Sequence, residues 1–127
     1  MGIISVSPGV QTKTIIWKPL VTDLTQAIFT ADEAYIVTAV SEVHGVVSAS
    51  GTLQIEKLTG TTIPGSGTSI LTGTINLAGT INTVVAGTVT STVATKTLAV
   101  GDRLGGVLAG VLTGLLGATV TITLSRA

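Results

Sequence analysis

Polar and apolar residues alternate with a period of two along much of this 127-residue chain, most regularly over residues 119–124, Thr-Val-Thr-Ile-Thr-Leu. Successive side chains of a β-strand point to opposite faces, so one face of this segment is aliphatic and the other carries hydroxyls. The chain contains 24 threonines, and threonine is a β-branched residue that suits a pleated strand. The pattern predicts an all-β protein whose surface is polar but largely uncharged.

Similar patterns, bounded by turns that contain glycine or proline, predict the other strands. The predicted strands span residues 13–17, 26–30, 35–43, 52–58, 68–75, 83–95, 103–109 and 118–124. In the fourth of these, Leu53 and Ile55 are expected inward, and Thr52, Gln54 and Glu56 outward. Residues 22–34 also fit a short helical stripe, but the β-propensity of Ile-Phe-Thr at 28–30 favours a strand and a tight turn. Short strands with such turns are typical of a β-sandwich or jelly roll.

Two segments qualify this fold. Residues 1–20, interrupted by Pro8 and Pro19, predict an extended N-terminal arm, which leaves residues 21–127 as the sandwich domain. Residues 71–76 and 77–82 repeat a Leu-x-Gly-Thr-Ile-Asn pattern that would fit a β-helix. Because a solenoid needs at least three repeats, the two copies are interpreted as the arms of a loop or hairpin.

Residues 104–124 carry no charge and are long enough to span a bilayer as a helix, with glycines at the GxxxG spacing. Their strict alternation at 119–124 and their five glycines instead favour two buried strands joined by a Gly-rich turn at residues 114–117. Residues 1–5 also lack the basic start and apolar length of a secretory signal. No association with a membrane is predicted.

Charged residues make up only 9% of the chain, against about 25% in ordinary soluble domains, and six bases balance six acids. The bases are scattered, so the composition excludes a basic surface for nucleic acid or for anionic lipid. There is no cysteine, hence no disulfide and no thiolate metal site. An apolar chain without net charge tends to associate, and this predicts a closed homo-oligomer.

Candidate chemistry is sparse. His44 is the only histidine, and Glu42 shares its face of the predicted strand, but two ligands do not complete a metal site. Ser41 points to the opposite face from His44, which argues against a nucleophile–histidine pair, and no Gly-x-Ser-x-Gly elbow occurs. The glycines at 65 and 67 lie in a turn without the Lys-Ser/Thr ending of a phosphate loop. We predict no enzyme, cofactor or metal, and a surface His44 whose replacement by alanine costs at most about 0.5 kcal/mol.

The segment Leu98-Ala-Val-Gly101-Asp102-Arg103-Leu104 resembles the Leu-x-x-Gly-Asp-x-Leu turn of trimeric jelly rolls of the tumour-necrosis-factor and complement type. The order of Phe29-Thr30-Ala31, Tyr35, Gly65-Ser66-Gly67-Thr68 and Gly101-Asp102 is also similar to that of small bacteriophage virion proteins. The resemblance implies a head decoration (cement) protein, a homotrimer seated on the outer surface of the phage head where subunits of the major capsid protein meet.

The arm supplies the candidate contact with the capsid. Its residues Ile15, Ile16, Trp17 and Lys18 place a large apolar anchor beside charges, as in an interface hot spot. The alternative is that Trp17 closes one end of the sandwich. Rival functions for the same fold are a receptor-binding or fibre-tip module of a phage tail, a pilin-like adhesive subunit and a lectin. The chain has only Trp17, Phe29 and Tyr35 as aromatic platforms for a sugar.

Overall fold

The structure, a computed structural model that describes residues 12–127, consists of two antiparallel β-sheets packed face to face. Its elements in chain order are β1 Thr12–Trp17, β2 Thr25–Thr30, β3 Tyr35–Val43, β4 Thr52–Leu58, β5 Thr68–Ser69, β6 Ile75–Asn76, β7 Val85–Ala86, α1 Val93–Lys96, β8 Thr97–Leu98, β9 Arg103–Ala109 and β10 Thr119–Arg126. One sheet has the order β1-β10-β3-β7, with β8 also on β3. The other has the order β2-β9-β4-β5, with β6 also on β4. The predicted all-β sandwich is confirmed.

The alternation of polar and apolar residues decides which side chains enter the core. In β10, Val120, Ile122 and Leu124 are fully buried, whereas the intervening threonines are half-buried on the outer face. In β4, Leu53 and Ile55 point inward as predicted and are also fully buried. The core therefore lies between the sheets and is mostly aliphatic, with Trp17 and Tyr35 as its buried aromatic members.

The bounds of the strands of six or more residues are predicted to within two residues, and those of the short strands are not. The predictions for β3, β4 and β9 coincide with the structure. The predictions of long strands at 68–75 and 83–95 are wrong, because these segments form two-residue strands, turns and one helical turn. Their apolar residues do not alternate over a sufficient length, and Gly73, Gly79 and Gly87 interrupt them.

Glu56 is predicted to face solvent but is buried. Its outer face of β4 is covered by the loop between β4 and β5, and its Oε1 accepts hydrogen bonds from the backbone N–H groups of Gly65 (2.8 Å) and Gly67 (3.3 Å). A Cβ at Gly67 would come within 2.6 Å of both Leu58 and a backbone oxygen. The glycines that mark this loop in the sequence are therefore required for its close approach to the sheet.

The strand of the predicted arm belongs to the sandwich. β1 pairs antiparallel with β10 over its full length, from Thr12 opposite Ser125 to Trp17 opposite Val120. Residues 1–11 of the predicted arm lie outside the described residues, and residues 18–20 begin the connection to β2. β1 ends before Pro19, which cannot donate a ladder hydrogen bond.

Residues 104–124 form most of β9, a connection and most of β10, as the strand interpretation predicts. The connection contains Gly110, Gly114 and Gly117, all with positive φ. At Gly110, with φ 78°, a Cβ would also lie 2.4 Å from the carbonyl oxygen of Ser50. Among residues 12–127, no helix is both long and apolar enough to cross a bilayer.

Candidate functional site

The structure separates the four residues of the predicted capsid contact. Ile16 is 55% exposed and Lys18 is also exposed, while Ile15 is half-buried and packs against the core. Trp17 is buried, with 6% of its surface exposed. The part of the predicted contact that this chain offers to a partner therefore consists of Ile16 and Lys18.

Trp17 spans the sandwich from one sheet to the other. It belongs to β1, yet an ideal Cβ built on Gly106 of β9 would lie 2.2–2.7 Å from three atoms of the indole ring. Gly106 faces inward between Leu104 and Leu108, so the missing side chain creates the space that the ring fills. The position agrees with the alternative that Trp17 closes one end of the sandwich. The indole Nε1 has no hydrogen-bond partner among the described residues.

One end of the sandwich is apolar. Four connections meet there: β1–β2, β3–β4, β6–β7 and β9–β10. Among residues 12–127, nine of the thirteen exposed large hydrophobic side chains lie on these connections: Leu20, Val21, Leu24, Val46, Val47, Ile81, Val84, Val111 and Leu116. Each of the nine has at least 38% of its surface exposed. We call this surface the apolar end.

Backbone hydrogen bonds hold these connections together. The N–H groups of Gly45 and Val46 donate to the carbonyl of Leu116, and the N–H of Ala49 donates to Thr113. The N–H of Leu108 donates to the carbonyl of Leu24, which fixes the β1–β2 connection against β9. Backbone hydrogen bonds within the chain thus connect the segments that carry these apolar side chains.

A groove of about 670 Å³ runs across the apolar end. It is lined by Val21 and Leu24 from the β1–β2 connection and by residues 110–116 of the β9–β10 connection. Leu112 and Leu115 point from its floor into the core, while Val111 and Leu116 remain 52% and 64% exposed at its rim. Its chemistry is that of an apolar docking surface, because charged side chains do not line it.

The charged residues gather at the opposite end, around the turn 31–34, the loop 59–67 and the turn 99–102. Nine of the twelve lie there or toward it: Lys13, Asp32, Glu33, Glu56, Lys57, Lys96, Asp102, Arg103 and Arg126. Several are paired, for example Arg126 with Glu33, and Lys57 with Asp102 at 3.9 Å. The remaining three are Lys18 and Asp23, which are exposed beside the apolar end, and Glu42, which is buried.

Glu42 and His44 form a buried pair beneath the apolar end. Both side chains are fully buried, and Nδ1 of His44 lies 2.9 and 3.0 Å from the two carboxyl oxygens of Glu42. Nε2 lies 3.1 Å from the carbonyl oxygen of Gly79, which can only accept, so Nε2 carries a proton. Nδ1 then either donates to a carboxylate or accepts from a carboxylic acid.

The prediction of a surface His44 is wrong. Glu42 and His44 do point to the same side of the chain, as the sequence predicts. The β6–β7 connection covers that side, and the N–H of Asn82 donates a hydrogen bond to the carbonyl of His44. Removing one partner of a buried pair typically costs about 3–5 kcal/mol, well above the cost expected for a surface site. Burial raises the pKa of the Glu42 carboxyl, and the hydrogen bond and charge of His44 lower it in part.

The pair anchors a connection of the apolar end, because Gly79 and Asn82 lie in the segment that carries Ile81 and Val84. In residues 12–127, no cluster of three or more His, Asp or Glu side chains could hold a metal ion.

No protein-family model, curated protein or solved structure matches this chain.

Sequence reasoning missed the apolar end because its residues are scattered over four connections. The available signal was the presence of adjacent aliphatic residues where turns are normally polar. Leu20-Val21, Val46-Val47 and Leu115-Leu116 are three such pairs in predicted loops or turns. Their convergence at one end follows from the sheet order, which the alternation does not specify.

Proposed function

We propose that the protein is a structural subunit that attaches to a larger protein assembly, and that this assembly is a bacteriophage capsid which it decorates as a homotrimer. The observation that carries the proposal is the division of the sandwich into an apolar end and a charged end. Exposed aliphatic side chains gathered at one end of a protein are typical of a surface that binds a partner. A body fixed by hydrogen bonds and uncharged where it meets other chains is suited to assembly rather than to catalysis.

The resemblance to decoration proteins and trimeric jelly rolls supports the choice of assembly. The Gly-Asp segment that carries it is a tight turn between β8 and β9, with Gly101 at φ 90°. Asp102 Oδ2 accepts a hydrogen bond from the N–H of Ala99, and the Asp102 carbonyl accepts one from Ala31. The turn thereby ties the start of β9 to the β2–β3 turn, a structural role in keeping with the virion proteins that the segment resembles.

The proposed capsid contact lies on β1 and its end. Ile16 presents an apolar side chain on the edge strand, and Lys18 presents a positive charge just after the strand ends. Ile15 and Trp17 support them from the core side. Several copies held by one oligomer would bind the shell together, so weak single contacts gain avidity from symmetry.

The test is a copy-number measurement on purified virions from cells that encode the chain. Quantitative mass spectrometry should find hundreds of copies per particle, on the head. A few copies would point to the receptor-binding or fibre-tip module instead, and absence from particles would contradict both functions. Recombinant protein should decorate capsids stripped of it. Ile16→Asp should weaken this decoration at least tenfold, whereas Val93→Asp, the same change at a similarly exposed site on α1, should not.

A further inference from the structure

We propose that the apolar end binds a second copy of this chain, and that it is the surface through which the protein forms its closed oligomer. The proposal rests on the homo-oligomeric part of the proposed function and names the interface that part requires. Of the proposed capsid contact it leaves Ile16, on the edge strand β1, for the shell, and it assigns Lys18 to the contact between copies.

The composition of the apolar end matches the buried centre of an interface between copies. Such centres are depleted in charge, and homo-oligomer interfaces are more apolar than the rest of the surface. Within residues 12–127 the nine exposed aliphatic side chains on the four connections have only Lys18 and Asp23 as charged neighbours on that end. The groove supplies a concave feature that the aliphatic rim of another copy can fill.

Charge complementarity selects a second copy over other partners. Lys18 and Asp23 are exposed, opposite in sign and five residues apart on the β1–β2 connection, and neither forms an ion pair with the described residues. In an oligomer with a rotation axis beside this connection, Lys18 of one copy would meet Asp23 of the next. The surface is therefore complementary to itself, and a chain of net charge zero adds no overall repulsion between copies.

A lipid surface fits this end less well. Binding to anionic lipid uses clusters of basic residues, and the single lysine here is offset by an aspartate on the same connection. The aromatic side chains typical of a membrane interface are not among its exposed residues. A lipid occupant is thus an outcome that the experiment must distinguish and not the one that the surface favours.

The first experiment replaces Leu116, 64% exposed at the rim of the groove, by aspartate and measures mass by sedimentation velocity over a dilution series. The wild type should be an oligomer and Leu116→Asp should dissociate at least 100-fold more readily. Val100→Asp is the matched control, because Val100 is 70% exposed at the charged end, and it should associate as the wild type does. Circular dichroism verifies the fold, and Val21→Asp on another connection replaces Leu116→Asp if that variant fails to fold.

A charge-reversal cycle tests the pairing between copies. Lys18→Asp and Asp23→Lys should each weaken association by at least threefold, and the double variant should recover most of the loss. Additive weakening in the double variant would refute the exchange between Lys18 and Asp23.

Either of two association results would overturn the proposal: a wild type that stays monomeric up to its solubility limit, or a folded Leu116→Asp variant with an unchanged oligomer. A third contrary result is that the wild type floats with vesicles of phosphatidylcholine, with or without phosphatidylserine, and that Leu116→Asp abolishes this flotation. Capsid binding is measured separately. Monomers that still decorate capsids would support the decoration function and contradict the proposed interface. An oligomer that depends on Leu116 but is absent from virions would support the interface and contradict the decoration function.

Discussion

At the scale of single residues, Glu42 and His44 place two ionisable side chains out of contact with water. Both are fully buried under the β6–β7 connection, where the only compensation is the hydrogen bonding between them and to Gly79. A buried ion pair is weakly stabilising at best, because desolvation offsets the attraction between the charges. The role of the pair is to position the segment that carries Ile81 and Val84, because His44 hydrogen-bonds to Gly79 and Asn82 of that segment just after the end of β3.

The pair makes stability depend on pH. Burial raises the folded-state pKa of Glu42 above its ordinary value of 4.5, so folding takes up a proton in that window. Protonated Glu42 contributes fully to the free energy of unfolding at pH values below 4.5. This contribution is lost as the pH rises through the raised pKa, because in that range the unfolded chain binds fewer protons than the folded one. We expect the free energy of unfolding of the wild type, minus that of Glu42→Gln, to fall as pH increases from 4 to 8. Urea unfolding at a series of pH values checks this, and a difference that rises with pH would contradict it.

At the scale of elements, the sandwich is closed by the packing of β1 against β9 across the core. The Trp17 ring occupies the space that Gly106 leaves, and the fit depends on both residues. The same contact explains why an edge strand as short as β1 carries the one tryptophan of the chain.

Gly106→Ala therefore tests how closely the two strands are matched. Its Cβ would overlap the indole, and overpacking of this kind typically costs about 1–3 kcal/mol. Gly73→Ala is the control, because its Cβ would meet nothing within 4 Å, and it should stay within about 0.5 kcal/mol of the wild type. Thermal and urea unfolding measure both. Equal stabilities for the two variants would show that Trp17 is free to move out of the way.

Strand patterning predicts the bounds of β3, β4 and β9, because β4 is long enough to show a period of two and the first half of β3 is apolar on both faces, as in a central strand. It failed over residues 68–96, where pairing is two residues long and the backbone follows hydrogen bonds to distant partners, such as that from Gly87 to Val40. It also failed for His44 and Glu56, which the strand pattern places correctly on a face but which distant loops then cover. The local sequence predicts which face of a strand a side chain occupies. Whether a distant loop then covers that face depends on the tertiary structure.

At the scale of the whole molecule, the two ends of the sandwich are chemically unlike. The proposed self-association would join copies at the apolar end and leave nine charged residues on the outer end of each. Solubility of the oligomer then comes from the charged ends, although the chain has no net charge. The ion pair between Lys18 of one copy and Asp23 of the next would fix the relative orientation of the copies but add little affinity, because an exposed ion pair is worth about 0–1 kcal/mol.

This balance predicts how the oligomer responds to temperature and salt. Burial of apolar surface weakens on cooling and is strengthened by sulfate, whereas ion pairs are screened by salt. We expect the dissociation constant, measured by sedimentation equilibrium, to increase on cooling from 25 to 5 °C and to decrease with ammonium sulfate below its precipitating concentration. Sodium chloride should raise it less than threefold in the wild type and not at all in the charge-neutral variant with Lys18→Gln and Asp23→Asn. Dissociation by moderate sodium chloride, with no effect of cooling, would mean that the charged end and not the apolar end joins the copies.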